Sequence, residues 1–341
     1  MPEPETEDAE IRWGILGAGG IADKFAADLI RTPGNVLAAV GARQADRAAG
    51  FAARFGAPRS YGSYRELVAD PDLDVVYIAT THPGHHEQAL LAIEAGKAVL
   101  IEKPVCLNAA DAREVFTAAD AAGVFAMEAM WMRTNPLIRK AQELVAGSAI
   151  GEPVSVQVEM GLGLPYDPGH RLYDLANGGG ALLDLGIYPV TFGWLFLGRP
   201  AAMSVTGTLA PTGSDATVAM QWSYPDGRDA QLWCSAPVKT PYRGLVVGTE
   251  GWIRTEGRFH RPSALTVMIG ELESRLDDPL GGDANGYGPE IAEVARCLRA
   301  GLTGSPLIPA ADTIAILELL DGARAELGVR YPGEDRAQGR G

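Results

Sequence analysis

The first part of the chain alternates between short apolar runs and longer segments with helical periodicity. The apolar runs are rich in β-branched side chains and nearly free of charge, which is typical of strands buried on both faces. We predict strands at Trp13–Leu16, Asn35–Val40, Val75–Ala79, Ala98–Ile101 and Val124–Met130. Predicted helices cover Ile21–Ile30, Asp46–Phe55, Tyr64–Val68, Glu87–Ala95 and Ala109–Ala122, the last capped by Asn108. Strands and helices in alternation indicate a doubly wound parallel sheet.

The pattern changes near Asn135, where apolar and polar positions begin to alternate with a period of two. Such alternation is typical of strands with one face on a core and the other in solvent. The predicted strands are Pro153–Gly161, Met203–Thr208, Asp215–Ser223, Asp229–Ser235, Gly244–Val247 and Gly251–Thr255. Turns such as Tyr224-Pro225-Asp226-Gly227 join them, which favours a mostly antiparallel sheet. Helices are predicted at Pro136–Ala146, Leu182–Leu197, Pro289–Ala300 and Ala310–Leu327.

These two patterns predict an α/β fold built from two domains. The chain has 341 residues, which is more than one hydrophobic core usually holds. We assign residues 11–133 to a domain with a doubly wound parallel sheet. Residues 134–332 are assigned to an α+β domain with a mostly antiparallel sheet. The polar ends, 1–10 and 333–341, are predicted to be disordered tails, the first of them acidic.

Composition and charge narrow the class of protein. The net charge of −14 argues against nucleic acid or an anionic membrane as the main partner. The acidic start of the chain lacks the features of a signal peptide, and we expect no apolar run long enough to span a bilayer. The three cysteines, Cys106, Cys234 and Cys297, form no C-x-x-C pair. A sparse, odd set is typical of reduced thiols, so we predict a cytoplasmic protein.

A glycine-rich turn joins the first predicted strand to the first predicted helix. Its pattern, Gly17-x-Gly19-x-x-Ala22, is the dinucleotide fingerprint in the required context. Gly17 permits the tight turn, Gly19 lets the backbone approach a diphosphate, and Ala22 allows the helix to pack closely. An ordinary βα turn without a ligand is the alternative interpretation. The predicted cofactor contacts here are Gly17, Gly19, Gly20, Ile21 and Ala22.

The residue after the second strand bears on the choice of cofactor. In NAD enzymes an acidic residue near this position binds the ribose 2′-hydroxyl. Here the strand is followed by Arg43, with Arg47 one helical turn further on. A cation at this point suits the 2′-phosphate, so we predict NADP, with NAD as the alternative. Arg43 as a solvated loop charge is the competing interpretation.

Three motifs in this order resemble those of the glucose-fructose oxidoreductase / inositol dehydrogenase / rhizopine-catabolism (Gfo/Idh/MocA) family. They are the glycine turn, Glu102-Lys103-Pro104 after a strand, and Gly178-Gly179-Gly180-Ala181-Leu182-Leu183-Asp184-Leu185-Gly186-Ile187-Tyr188. The resemblance runs from about Ile11 to Pro332. Most members carry histidine at the position of Tyr188.

A tyrosine at that position resembles the subgroup of dimeric dihydrodiol dehydrogenases, NADP-dependent D-xylose dehydrogenases and glucose-fructose oxidoreductase. Met127-Glu128-Ala129-Met130-Trp131 and Asp167-Pro168-x-x-Arg171-Leu172 also resemble this subgroup. The resemblance implies a Rossmann domain followed by an α/β domain whose open sheet faces the active site on one side. The other side commonly forms a subunit contact, so we expect a homodimer or homotetramer through this sheet.

Tyr188 and Lys103 are the predicted catalytic residues. Oxidation of an alcohol by a nicotinamide cofactor needs a base for the hydroxyl proton, and carbonyl reduction needs an acid. A free tyrosine has a pKa of about 10, and a nearby ammonium lowers it by stabilising the phenolate. We therefore expect Lys103 to lower the pKa of Tyr188. The competing interpretations are a core tyrosine bonded to a carbonyl and a surface ion pair between Lys103 and Glu102.

The resemblance also implies roles for residues around this pair. Asp184 lies at i−4 from Tyr188 and is expected to contact substrate hydroxyls. Pro104 is expected to follow a cis peptide bond. The predicted cofactor contacts beyond the glycine turn and Arg43 are Thr80, His82, His85, Glu102 and Lys103, and the predicted substrate contacts are Lys103, Trp131, Arg171, Asp184 and Tyr188. Weaker substrate candidates are His170, Tyr166 and Tyr242.

The cluster His82-x-x-His85-His86 raises the question of a metal site. No carboxylate or thiol accompanies it at a metal-binding spacing, so we expect none. The sequence thus predicts an NAD(P)-dependent oxidoreductase that moves a hydride between nicotinamide C4 and a secondary alcohol or carbonyl. The expected substrate is a sugar, a polyol or a cyclic trans-diol. The alternative is a cofactor-binding sensor that kept the fold without catalysis.

Overall fold

The fold begins with a six-stranded parallel sheet. This computed structural model describes residues 10–281, 285–332 and 334. The strands of the sheet are β1 (Ile11–Leu16), β2 (Asn35–Gly41), β3 (Arg59–Tyr61), β4 (Val75–Ile78), β5 (Ala98–Glu102) and β6 (Ala126–Ala129). Their order across the sheet is β3-β2-β1-β4-β5-β6. The order reverses between β1 and β4, which is where open parallel sheets bind ligands. The predicted doubly wound sheet is confirmed.

Five helices connect these strands. They are α1 (Gly20–Leu29), α2 (Ala45–Phe55), α3 (Tyr64–Val68), α4 (His85–Glu94) and α5 (Ala109–Ala122). Asn108 caps α5 as predicted, because its side chain accepts a hydrogen bond from the Asp111 N–H at 2.9 Å. Most of the predicted tail residues, in 1–10 and 333–341, lie outside the described part of the chain, so those predictions stay open.

The second sheet has eight strands and follows helix α6 (Pro136–Ala146). The strands are β7 (Pro153–Gly161), β8 (Ala202–Leu209), β9 (Asp215–Ser223), β10 (Asp229–Ser235), β11 (Gly244–Gly248), β12 (Gly251–Arg258), β13 (Arg261–Ile269) and β14 (Leu272–Asp277). Their order is β14-β13-β12-β11-β7-β10-β9-β8. Every neighbouring pair is antiparallel except β7 with β10, which confirms a mostly antiparallel sheet.

The predicted helix Leu182–Leu197 is correct in extent but wrong in geometry. Residues Leu182–Gly186 form a π-helical turn, in which the Ile187 N–H bonds to the Leu182 carbonyl. The chain then continues as helix α7 (Ile187–Leu197), which packs on β7 and β10. Single π turns inside helices are rare, and those that do occur are often found at functional sites.

The expectation that no apolar run is long enough to span a bilayer is also wrong. By length and composition alone, the stretch Leu175–Leu197 could span one, but 89% of its most apolar window is buried inside the protein. Its residues pack in the core, for example Phe192 against Phe196 and Phe259 at centroid distances of 4.9 and 5.5 Å. A buried core helix meets the same criteria as a membrane span, so this stretch is explained by the core.

Helices α8 (Gly288–Arg299) and α9 (Ala310–Leu327) return the chain to the first sheet. The Ala126 N–H of β6 donates to the Thr303 carbonyl at 3.1 Å. The Glu128 carboxylate accepts from the Val105 N–H at 3.1 Å and from the Thr313 hydroxyl at 3.2 Å. Through Glu128, helix α9 therefore helps to hold the loop that follows β5 and carries Lys103.

Candidate active site

The glycine turn after β1 has the geometry of a phosphate-binding turn. Gly17 has φ +108°, and a Cβ there would lie 2.7 Å from the Ala79 carbonyl oxygen. A Cβ on Gly19 or Gly20 would meet no described atom within 4 Å, so the backbone faces open space there. Helix α1 starts at Gly20 with no side-chain cap. Its first N–H groups are thus available to an anion, and the residues fit a dinucleotide diphosphate.

The two arginines expected near the ribose differ in their surroundings. Arg43 is exposed, and its side chain makes no recorded hydrogen bond or ion pair with the described residues. Arg47 donates from Nη2 to the Ala18 carbonyl at 3.1 Å. Arg47 is therefore tied to the glycine turn, while Arg43 is unrestrained beside it.

Thr80, His82 and His85 follow β4, but their side chains differ in accessibility. His85 is fully buried, with Nδ1 2.8 Å from the Pro104 carbonyl and Nε2 3.2 Å from the Thr80 carbonyl. Burial, together with His82, lowers the pKa of His85 to about 4, so the ring is neutral and donates only one hydrogen bond. His85 links two loops of the cleft. His82 lies beside Asp184, with Nε2 3.6 Å from Asp184 Oδ1.

Glu102 points into the interior. Its carboxylate accepts hydrogen bonds from the Tyr77 hydroxyl and from the Lys103 N–H, and burial raises its pKa. The Lys103–Pro104 peptide is cis, as the resemblance implied. The competing ion pair between the side chains of Lys103 and Glu102 is not formed.

Lys103 instead reaches across to the π turn and to helix α7. Its Nζ donates to the Asp184 main-chain carbonyl, inside the π turn, at 2.8 Å and lies 3.3 Å from Asp184 Oδ1. It also lies 5.0 Å from the ring centroid of Tyr188. Burial disfavours its charge, but Asp184, Tyr188 and Glu102 outweigh burial and raise the pKa of Lys103. The two predicted catalytic side chains are therefore brought together by the loop after β5 and by helix α7.

Asp184 is the electrostatic centre of this cluster. Its carboxylate contacts Lys103, His82 and the Arg171 guanidinium, whose Nη2 lies 3.1 Å from Oδ2. Burial alone would raise the pKa of Asp184, but Lys103, His82 and Arg171 hold it well below its usual range. A buried, ionised carboxylate with three cationic or donor neighbours can also accept hydrogen bonds from hydroxyl groups.

Lys103 lowers the pKa of Tyr188 as predicted, but burial outweighs it, so the expected net lowering is wrong. Burial raises the pKa of Tyr188 to about 12, and Lys103 only partly offsets that effect. The Lys103 ammonium is held by Asp184 over the face of the Tyr188 ring. The hydroxyl instead accepts a hydrogen bond from Trp131 Nε1 at 2.8 Å. Tyr188 is thus set up as a neutral proton donor.

Two residues that the sequence analysis did not select surround Tyr188 and Trp131. His260, in the turn between β12 and β13, lies 5.0 Å from the Tyr188 ring, centroid to centroid. Tyr287, just before α8, lies 5.4 Å from the Trp131 ring. Neither belongs to a motif, and only the pairing of β12 with β13 and the return of the chain at α8 place them here. We call Trp131, Tyr188, Tyr242, His260 and Tyr287 the aromatic cluster.

The weaker candidates have different surroundings. Tyr242 lies 5.8 Å from His260, within the aromatic cluster. Tyr166 is exposed and packs against Tyr173, and His170 Nδ1 accepts from the Leu172 N–H. His86 lies 3.0 Å from Glu114 on the surface. Within the described ranges, no group of three or more His, Cys, Asp or Glu side chains is arranged to hold a metal ion.

Comparison with known proteins agrees with this geometry. A family model described as "Oxidoreductase family, NAD-binding Rossmann fold" matches residues 11–130, and the "GFO/IDH/MocA C-terminal domain" matches residues 138–254. Trans-1,2-dihydrobenzene-1,2-diol dehydrogenase of Mus musculus is 39% identical, over 96% of this chain and 99% of the mouse protein. The enzyme of the same name from Homo sapiens is 36% identical, over 96% and 99%.

Solved structures share the whole architecture. A 3-ketoreductase from Actinomadura kijaniata, in complex with NADP and TDP-benzene, superposes with a TM-score of 0.81 at 25% identity, covering 93% of this chain and 98% of that one. The relatives and the glycine turn together establish an NAD(P)-dependent dehydrogenase that acts on CH–OH groups. The chain belongs to the Gfo/Idh/MocA family of oxidoreductases.

Proposed function

We propose that Tyr188 is the acid/base residue of this dehydrogenase and that Lys103 assists it. One observation carries the proposal: Lys103 Nζ, from the first sheet, lies against the Tyr188 ring and is held there by Asp184. The intact pair gives no support to a sensor without catalysis. The nicotinamide ring, when bound, supplies or accepts the hydride.

The proton chemistry follows from the charges around Tyr188. With a pKa of about 12, the hydroxyl is protonated at neutral pH and can donate its proton to a carbonyl oxygen during reduction. In the oxidation direction it must lose that proton, and Lys103 stabilises the resulting phenolate. Lys103 is thus expected to contribute more to the enzyme's alcohol oxidation than to its carbonyl reduction.

We assign the proposed cofactor residues by position. The turn residues would hold the diphosphate, and Thr80 and His82 would line the nicotinamide side. His85 and Glu102 are buried and would act by fixing the loops around Lys103. The turn residues concerned are Gly17, Gly19, Gly20, Ile21 and Ala22.

The proposed substrate is a cyclic trans-diol or a sugar. Asp184 and Arg171 supply charged partners for hydroxyl groups, while Trp131 offers an apolar ring face. The names of the mouse and human relatives support the diol. A panel of cyclic diols, aldoses and polyols with NADP or NAD, followed at 340 nm, tests this. Absence of turnover on every member would contradict it.

Replacement of Arg43 by alanine is expected to weaken NADP use and spare NAD use. Arg43 is exposed and unrestrained beside the turn, so its guanidinium is free to meet a 2′-phosphate. A charge-assisted hydrogen bond of this kind contributes about 1.5–3 kcal/mol, so the KM for NADP should rise about tenfold to a hundredfold. The measurement is KM for both cofactors with one substrate.

Arg65→Ala is the matched control, because Arg65 is also exposed but lies on α3. It should leave both KM values unchanged. If Arg43→Ala changed the two cofactors equally, or neither of them, the proposed preference for NADP would be wrong.

The outer face of the second sheet is the proposed contact between copies of this chain. Gln157 and Glu159 on β7 alternate with the buried Val156 and Val158, so they lie on the face opposite the core. The same outer face carries the partly exposed apolar side chains Trp233 and Leu245, with Arg243 and Arg254 beside them. Such a mixture of apolar centre and charged rim is typical of subunit interfaces.

Trp233→Glu is expected to dissociate this oligomer, because it would bury a carboxylate in the contact. Light scattering at micromolar concentration should show the mass falling to that of one chain. Ile30→Glu, at an exposed apolar position following α1, should leave the mass unchanged. A parent protein that is monomeric would rule the contact out.

A cytoplasmic location is also proposed, because the three cysteines are free and buried.

A further inference from the structure

His260 is a buried polar side chain inside the aromatic cluster. Only 6% of its surface is exposed. Its ring lies 5.0 Å from Tyr188, 5.6 Å from Trp131 and 5.8 Å from Tyr242, centroid to centroid. The residue therefore contacts the ring whose hydroxyl is proposed to handle the proton.

The imidazole has no hydrogen-bond partner in the part of the chain that the structure describes. Nδ1 is fully buried and unpaired, and no hydrogen bond from Nε2 is recorded. Proteins rarely leave a buried polar group unpaired, because its lost hydration is not repaid. An orphaned imidazole beside the proposed acid/base residue is consequently a candidate contact for the substrate itself.

The charge state and tautomer of His260 follow from its surroundings. Burial, helped by Arg258, Lys103 and Arg261, lowers the pKa of His260 to about 3. The ring is therefore neutral at working pH and carries one N–H and one lone pair. A buried N–H without a partner is rarer than an unpaired acceptor. The proton is accordingly assigned to Nε2, which can donate to an oxygen.

We propose that His260 Nε2–H donates a hydrogen bond to a second hydroxyl of the substrate, next to the carbon that reacts. This rests on the proposed function, in which Tyr188 serves the oxygen of the reacting carbon. Because the ring centroids lie only 5.0 Å apart, the imidazole is within reach of an oxygen on the carbon next to the one that Tyr188 serves. His260 is thus a specificity residue that favours vicinal diols over simple alcohols.

A matched pair of substrates tests the proposal, namely trans-cyclohexane-1,2-diol and cyclohexanol, with NADP as cofactor. For His260→Phe, kcat/KM for the diol should fall about tenfold to a hundredfold, which is the loss of one hydrogen bond to a substrate hydroxyl. The value for cyclohexanol should stay within about twofold, because phenylalanine keeps the aromatic packing. Ser263→Ala, exposed on the same hairpin, should change neither value.

Two further variants identify the nitrogen. His260→Gln places an amide near the position of Nε2 and should recover part of the diol activity that His260→Phe loses. His260→Asn places the amide near the position of Nδ1 and should not recover it. Equal losses on both substrates would show a packing role and overturn the proposal, as would unchanged diol activity in His260→Phe. A parent enzyme that is inactive on every diol and polyol would overturn the proposed function, and this inference with it.

Discussion

Replacing Tyr188 with phenylalanine is expected to lower kcat by about a hundredfold to ten-thousandfold, which is the usual contribution of a positioned acid/base group. The hydroxyl accepts a hydrogen bond from Trp131 and sits in a buried site, so water cannot readily replace it as a proton donor. Because phenylalanine preserves the ring that packs on Lys103, cofactor affinity should not change. Steady-state kinetics and cofactor fluorescence titration measure the two quantities.

Tyr224→Phe is the matched control for this prediction. It also removes a tyrosine hydroxyl, one that donates to the partly buried Gly198 carbonyl at 2.8 Å and makes no contact with Lys103. Loss of that bond should reduce the free energy of unfolding by about 1 kcal/mol and leave kcat unchanged. A Tyr188→Phe enzyme with kcat within about threefold of the parent would remove Tyr188 from its proposed role.

Replacing Lys103 with methionine is expected to lower kcat for alcohol oxidation by about a hundredfold or more at pH 7. The ammonium partly offsets the burial that raises the pKa of Tyr188 to about 12, so its loss should raise that pKa further. Below both pKa values, less phenolate then forms at any given pH. Well below both values the deficit is the same factor at every pH, and it should shrink only as the pH approaches the parent's Tyr188 pKa of about 12, so a pH profile of kcat from 6 to about 12 measures this.

Lys97→Met is the control, because it removes another lysine, directly before β5. Lys97 is also buried, and its Nζ donates to the Leu73 carbonyl at 3.0 Å. Its loss should lower stability without altering the pH profile of kcat. If the deficit of Lys103→Met did not shrink even as the pH approached about 12, Lys103 would bind or orient the substrate without acting on the Tyr188 proton.

The sequence predicts the strands and helices for most segments that contact a core. Strand β7 matches its predicted bounds because Val156 and Val158 alternate with polar residues. Strands β3 and β14 were missed, since both are short, polar edge strands whose exposed side chains carry no alternation. Strand β13 was also missed, although its residues Ala264–Val267 are buried.

The candidate site was predictable only where a residue belongs to a motif. Lys103, Asp184 and Tyr188 belong to motifs, and the structure brings them together. His260 has no local signal, because its position depends on how two distant strands pair. The pKa of Tyr188 was predicted in the wrong direction because the sequence shows that a cation is near but not how deeply the phenol is buried.

The π turn at Leu182–Gly186 has a consequence for the tolerated length of the chain. A bond from Ile187 to Leu182 closes this turn around one residue more than an α-helical turn would contain. Deleting a single residue there would leave only enough chain for an α-helical turn, in which each carbonyl bonds to the N–H four residues further on. Surface loops tolerate such deletions, but here the helix would take up the Asp184 carbonyl that now accepts from Lys103, and the ammonium would lose its anchor beside the phenol.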